Sequence, residues 1–486
     1  MKRILVAILS FLSLSLYAQE ELPVILSGQI TSPIHHIDSR DYRFDNNASY
    51  AMPRTPQLSL TQPKDSAVRW IDRIYNIPDY IVDFYDSYAK AVNQVLDGTT
   101  NYLSDPTLAQ YGSSDKGFPM YYLPLKEWKF AFSFGYNPSW SQDDLSEIVS
   151  QLIYDTAEPI NDTLSYFMPY LTMSIDYDIP QAFWVTNNIS WSTSLAYSLK
   201  GSGTKLYLDI TFNVKVVLKT VGTEEDFDIR IDKYHTKEAV SAGVAEYRQY
   251  VSDILKDIPD GNMYDKVKYL NNWLTSHNCY GTSIGQSKEP DIIRSSISAL
   301  KGSTGYFGPV CEGYARAFKV LADTLGIPCI LVIGDACSSP SSAREGHMWN
   351  EVRMDDGKWY GVDVTWNDPI SAGAGADSIA MSGFETEKWL LVGKKSIINE
   401  QTFETSHPNQ VNNRSDLRAY LKYLDCHLDT YLTDNAYIGT NVEPTFIDQS
   451  NKYNVYAITG VYLGEFDNLD MLEPGMYIIN NRKVSR

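Results

Sequence analysis

The stretch from Gly308 to Thr365 constrains this chain more than any other part of it. Beyond Cys311, the residues Ala315, Phe318, Ala322 and Leu325 recur at steps of three and four, which predicts a helix with one face buried. Gly326 stops the pattern, and Ile327-Pro328 leads into the strand-like run Cys329 to Ile333. Cys311 therefore opens a helix. There the unpaired backbone N–H groups and the helix dipole favour a thiolate, the reactive form of cysteine.

A base has to reach that sulfur. His347 begins the strand-like run His347 to Arg353, which ends at the turn Asp355-Asp356-Gly357, and the return strand Lys358 to Val364 contains Asp363. A two-residue turn at Asp356-Gly357 would pair Asn350 with Asp363 and leave His347 on the opposite sheet face. A three-residue loop, with Gly357 in a left-handed conformation, shifts the pairing by one. Trp349 then opposes Asp363, and His347 lies two positions away on the same face, within diagonal reach.

In that register the roles follow. Cys311 attacks a carbonyl carbon as the thiolate, His347 pairs with it and protonates the departing amine, and Asp363 fixes the imidazole tautomer. The Cys311 amide at the helix start is a natural oxyanion donor. Tyr280, just after the preceding helix, is the candidate for the second donor. Trp273 lies within an amphipathic helix and reads as core.

Three blocks carry a resemblance. Val310-Cys311-Glu312-Gly313-Tyr314-Ala315, His347-Met348-Trp349-Asn350 and Trp359 to Trp366 resemble, in this order, the conserved segments of the transglutaminase-like superfamily. The similarity runs from about Val240 to Pro369, and Met348 stands where alanine is common. The resemblance implies a papain-like α+β core and acyl transfer from an amide to water or to an amine. It maps Cys311, His347 and Asp363 onto the family's catalytic residues. Taken singly, a cysteine at a helix start is usually a small apolar residue and a strand histidine is usually structural. Their joint order and spacing make the case. Cys279, Cys329 and Cys337 read as structural, with Cys329 buried in an apolar strand.

The rest of the chain frames this core. Lys2-Arg3, the apolar run Ile4 to Leu16 and Ala18 form a secretory signal pattern over 1–18, with cleavage expected after Ala18 and an apolar run too short to span a bilayer. Residues 19–62 read as an extended, polar lead-in. His35-His36 and Asp38 fall there and read as solvated rather than metal-binding. Residues 63–238 are expected to hold a helical hairpin, formed by a turn through Ile71, Ile74 and Ile77 and a helix through Ile81, Phe84, Tyr88, Val92 and Val95. A β region follows, with strands at Phe183 to Val185, Ser190 to Leu195 and Leu206 to Leu218. The acid cluster Glu224 to Asp228 lacks calcium-loop spacing and reads as a turn. Helices are expected at Val240 to Leu255 and Met263 to Leu274 within a catalytic domain spanning 239–425. Its Gly-rich segment Ser371 to Ser378 reads as a loop, since it lacks a phosphate-loop ending.

Residues 426–486 form a small C-terminal β-module, with strands around Val455 to Gly460 and Gly475 to Ile479. Its end resembles part of the type IX sorting domains of Bacteroidetes-type bacteria, which would imply delivery to the cell surface.

The fold class is thus α+β, with a transglutaminase-like core between an N-terminal α+β region and the C-terminal module. The net charge of −19, without a basic stripe, argues against nucleic acid as a partner. Five cysteines are too few for a disulfide scaffold. No HExxH or CxxC spacing points to a metalloenzyme, and no cofactor is expected. The leading function is an exported thiol acyltransferase or hydrolase acting on protein or peptide amides, cell-wall peptides among them. The competing reading is a surface binding module that keeps the fold without catalysis.

Overall fold

The structure is a computed structural model that describes residues 24–32, 35–38, 69–99, 110–113, 119–202, 204–220, 234, 237–281, 290–302, 308–368, 386–409, 426–427, 429–431, 453–457, 462–466, 476–479 and 482–485. The expected signal segment 1–18, the cluster Glu224 to Asp228 and the loop Ser371 to Ser378 lie outside the described residues.

In chain order, the N-terminal part runs β1 (Val24–Thr31), β2 (His35–Asp38), α1 (Asp79–Leu96), β3 (Gln110–Ser113), β4 (Pro119–Gly135), α2 (Gln142–Asp178), β5 (Val185–Ser202) and β6 (Lys205–Thr220). Its strands form one antiparallel sheet in the order β1-β5-β6-β4-β3, with β2 also pairing with β5. Leu206, Leu208 and Ile210 are buried while Asp209 between them is exposed, the alternation of a half-buried strand.

Three expectations are corrected here. The lead-in is not featureless, because Val24–Thr31 and His35–Asp38 are strands. Their partner β5 lies some 150 residues further along the chain, and local periodicity cannot report so distant a pairing. The helical hairpin is a single helix. Ile71–Arg73 makes only a 3-10 turn before Ile74 returns to extended backbone and Pro78 starts α1. Finally, the stretch read as a β region also contains the 37-residue helix α2, ahead of the expected strands. From Phe167 to Asp178 every side chain of α2 is buried, Asp176 and Asp178 included, so the end of the helix is enclosed all round and shows no 3.6-residue apolar stripe. Pro159 and Pro169 inside it further disguised it. The legible signal was its start, where Ser141 and Asp144 form a reciprocal capping box.

The second part follows as α3 (Lys237–Leu255), α4 (Met263–Ser276), α5 (Pro290–Arg294), α6 (Ser296–Leu300), α7 (Cys311–Thr324), β7 (Cys329–Ala336), β8 (Glu345–Arg353), β9 (Trp359–Val362) and α8 (Val364–Asn367). Short elements β10 (Ile397–Ile398), β11 (Gln401–Thr402) and α9 (Phe403–Ser406) come next. The helices at α3, α4 and α7 fall where the spacing predicts them. Val267, Leu270 and Leu274 share the buried face of α4. Asn350 on β8 donates its amide to the Ala315 carbonyl (3.0 Å), which ties the sheet β7-β8-β9 to α7.

The expectation of one buried face on α7 is too modest. Cys311 through Ala322 are all buried. The face that carries Arg316 and Lys319 is covered by the end of α2. Arg316 donates to the Asp176 carboxylate and carbonyl, both at 2.7 Å. Lys319 donates to the Cys329 carbonyl (2.8 Å) and pairs with Asp323. Trp70 adds bonds to the Asp178 carboxylate and the Leu331 carbonyl. The N-terminal part therefore supports the helix that presents Cys311.

At the C-terminus β12 (Tyr453–Ala457), β13 (Tyr462–Phe466), β14 (Met476–Ile479) and β15 (Arg482–Ser485) form a sheet in the order β13-β12-β14-β15, two strands more than expected. Among the described residues no helix is long and apolar enough to cross a membrane.

Candidate active site

Cys311 is the first residue of α7, with Val310 as a cap in extended backbone. Gly313 allows the helix start to sit deep. A Cβ there would come within 2.5 Å of the Ser298 hydroxyl and 2.8 Å of the Ile293 carbonyl, so any larger residue would push α7 off α5 and α6.

His347 enters from β8, where it pairs with Gly334 of β7. The turn after β8 is the three-residue loop. The Met354 amide donates to the Lys358 carbonyl, and Gly357 takes φ +77°. Asn350 then pairs with Val362 and Glu351 with Gly361, and continuing that register sets Trp349 opposite Asp363, as expected. One detail differs. β9 ends at Val362, and Asp363 caps α8 by accepting the Trp366 amide on Oδ1 at 3.1 Å. The cap turns its other oxygen to His347, whose Nε2 lies 2.8 Å from Oδ2. That leaves Nδ1 of the ring for the Cys311 thiol, which is near enough to help raise the His347 pKa.

Burial pulls the His347 pKa down. The Asp363 charge and hydrogen bond, then those of Cys311, more than reverse this and leave it pushed up to about 10. Burial would raise the Asp363 pKa, but His347 and a second histidine hold it well below the ordinary carboxylate value.

That second histidine, His407, was not found by sequence reasoning. It directly follows α9, 44 positions beyond Asp363, and its Nε2 lies 3.0 Å from the same Oδ2. Nothing in Ser406-His407-Pro408 marks it. Among the described residues, His347, Asp363 and His407 are the group whose ligand atoms lie close enough, within 4.8 Å, to share a metal ion. The two short N–H contacts to one oxygen already satisfy them, so a hydrogen-bonded chain accounts for the cluster.

Burial outweighs the Asp363 bond on His407 and leaves its pKa at about 4, below the 6.5 of a free histidine. The unfolded chain therefore binds the extra proton first. The stabilisation is complete above pH 6.5 and is lost as pH falls towards 4, by roughly 3 kcal/mol for this group. Urea unfolding of the wild type should weaken steeply between pH 7 and 4.5, and less so in His407→Gln.

Tyr280 stands beside Cys311. Burial and then the neighbouring Cys311, Glu345 and Glu312 push its phenol pKa up, against a hydrogen bond with the Cys311 backbone that lowers it. Trp273 is half-buried, stacks on His277 at 4.3 Å and packs against the core, as expected of it. Cys329 is fully buried, and burial pushes its thiol pKa up. A cleft of about 580 Å³ opens on His347 and is lined by Tyr280, Glu345, Trp366, Asp368 and Trp389. Behind it Asn367 donates to Asn271 (2.8 Å) and accepts the Trp389 amide (2.9 Å), fixing the segment after Asp363.

Residues 252–364 match the transglutaminase-like superfamily. That match contains α4, α7, the β7-β8-β9 sheet and the three sequence-predicted residues Cys311, His347 and Asp363. Two solved structures are similar to parts of the chain. One, described as a TGase, is 16% identical over 35% of this chain with a TM-score of 0.22, and the chain spans 43% of its length. The other is assigned as a candidate cysteine protease from Cytophaga hutchinsonii and is 14% identical, with a TM-score of 0.20, over 54% of this chain and 72% of that one. Neither likeness bears on the site. No curated protein matches the chain.

Proposed function

We propose that the chain is an exported, thiol-dependent acyl-transfer enzyme acting on protein or peptide amides, with Cys311, His347 and Asp363 as its triad. The observation that carries this reading is a thiol at a helix start beside His347, whose Nε2 lies 2.8 Å from Asp363 Oδ2.

In the attacking state His347 carries the proton and Cys311 is the thiolate. Sγ attacks the amide carbon, and the carbonyl oxygen becomes an oxyanion that replaces the Tyr280 oxygen on the Cys311 N–H, with the Tyr280 hydroxyl turned to it as second donor. Collapse breaks the C–N bond, and His347 passes its proton from Nδ1 to the leaving amine. The product is a thioester on Cys311. Water or an amine then gives a proton to His347 and attacks the thioester, which releases the acyl group and restores the ion pair. Asp363 keeps Nε2 protonated throughout. The superfamily match over 252–364 supports a protein or peptide substrate.

A thiol-directed reagent near neutral pH tests this. Mass spectrometry of protein recovered from culture medium first checks export, through a chain beginning at Gln19. Cys311 should then label fastest of the five thiols, and His347→Ala should abolish that advantage. Equal, slow labelling of all thiols would favour a non-catalytic binding module. Incubation with peptides and a tagged primary amine then separates hydrolysis from amine incorporation.

A further inference from the structure

We propose that His407 is a positioning residue of this site, an imidazole whose Nε2–H locks the Asp363 carboxylate so that His347 stays aimed at Cys311. The inference rests on reading Cys311, His347 and Asp363 as a thiol triad.

The case begins with the tautomer. Asp363 Oδ2 already accepts from His347 and lies 3.0 Å from His407 Nε2. A bare nitrogen facing an ionised carboxylate would repel it, so His407 carries its proton on Nε2. Nδ1 must then accept, and the Ser406 hydroxyl stands 2.8 Å from it. Ser406 Oγ also donates towards the Phe403 carbonyl at 3.0 Å, so its one proton is shared between that carbonyl and Nδ1. Ser406 thus complements the tautomer that Asp363 requires.

The ring cannot easily turn away. Phe403 stacks on it at 4.4 Å, and Trp366, Trp389 and Trp349 stand at 4.5, 5.0 and 5.1 Å. Its backbone is held as firmly. The Ser406 carbonyl accepts the Cys337 amide, the Pro408 carbonyl accepts the Asp335 amide, and Gly334 bridges to Asn409. This segment therefore covers the edge of β7, and places His407 behind Asp363 from a part of the chain outside the matched core.

The charged and titratable groups facing His407 are Asp363 at the start of α8, His347 on β8 and Arg344 just before it. His347 and Arg344 both oppose a second positive charge, so the ring donates a hydrogen bond without competing for the proton that His347 carries. With Trp366 N–H on Oδ1 and two imidazoles on Oδ2, the carboxylate cannot rotate.

The test is the rate of Cys311 alkylation by iodoacetamide against pH, in the full chain, for the wild type, His407→Leu, His407→Gln and Ser406→Ala. His407→Gln keeps an N–H for Oδ2 and a carbonyl for Ser406, whereas His407→Leu keeps neither. At pH 6 His407→Leu should react at least tenfold more slowly than the wild type. The gap should close at alkaline pH, where thiols ionise unaided. His407→Gln should recover most of the rate, and Ser406→Ala should fall between.

Equal rates in His407→Leu and the wild type would overturn the proposal. So would an equal loss in the Leu and Gln variants at all pH values, which is what a purely structural role produces. If His407→Leu does not fold, Ser406→Ala decides, since a wild-type profile there removes the tautomer argument. Failure of the triad reading looks different, because wild-type Cys311 would then label no faster than the other thiols.

Discussion

Asp363→Asn should lower turnover by about 10⁴-fold while leaving the fold intact, an effect of the size seen when the carboxylate of a hydrolytic triad becomes an amide. The reason lies in the count of donors and acceptors. Asp363 accepts three N–H groups, from Trp366 on one oxygen and from His347 and His407 on the other. An amide has one acceptor oxygen. If that oxygen faces the imidazoles, the amide NH₂ meets the Trp366 N–H and the cap on α8 is lost. If it faces Trp366, the NH₂ opposes two imidazole N–H groups, and both rings must change tautomer or turn. Either way His347 loses the charge that holds its pKa near 10. The rate of Cys311 alkylation at pH 6 should fall with turnover. An unchanged rate would mean that Asp363 is only a helix cap.

Arg316→Met should destabilise the protein by about 3–5 kcal/mol, because it strands the Asp176 carboxylate in the interior. Both side chains are nearly inaccessible, at 4% and 3% exposure, and the guanidinium bonds both the carboxylate and the carbonyl of Asp176. Replacing both partners together, as Arg316→Met with Asp176→Leu, should recover much of the loss, since two apolar groups leave no unpaired charge. The exposed pair Lys200–Asp209 is the control, and Lys200→Met should change stability by less than about 1 kcal/mol. Urea unfolding of the four proteins measures all of this. A single Arg316→Met variant as stable as the wild type would show that the junction between α2 and α7 does not bear on stability.

Much of the core was legible because its signals are local. The helix at Cys311 shows in the spacing of Ala315, Phe318 and Ala322, and its end shows at Gly326, which takes φ +70°. The hairpin register shows in Asp355-Asp356-Gly357, because loop length sets which residues face each other, and that register, with the cap that Asp363 makes on α8, brings His347 to Asp363. What was not legible depends on distant partners. The second half of α2 hides its period because the rest of the protein surrounds it. β1 and β2 are strands only because β5 offers them an edge.

The order of Cys311, His347 and Asp363, and the helix and turn that aim them, were thus settled by the sequence itself, through short-range periodicity and turn stereochemistry. The burial of Arg316 and Lys319, and the seating of His407 against Asp363, were decided only by tertiary structure. A buried polar group owes its place to whichever distant atom satisfies it, and adjacency along the chain carries no trace of that partner.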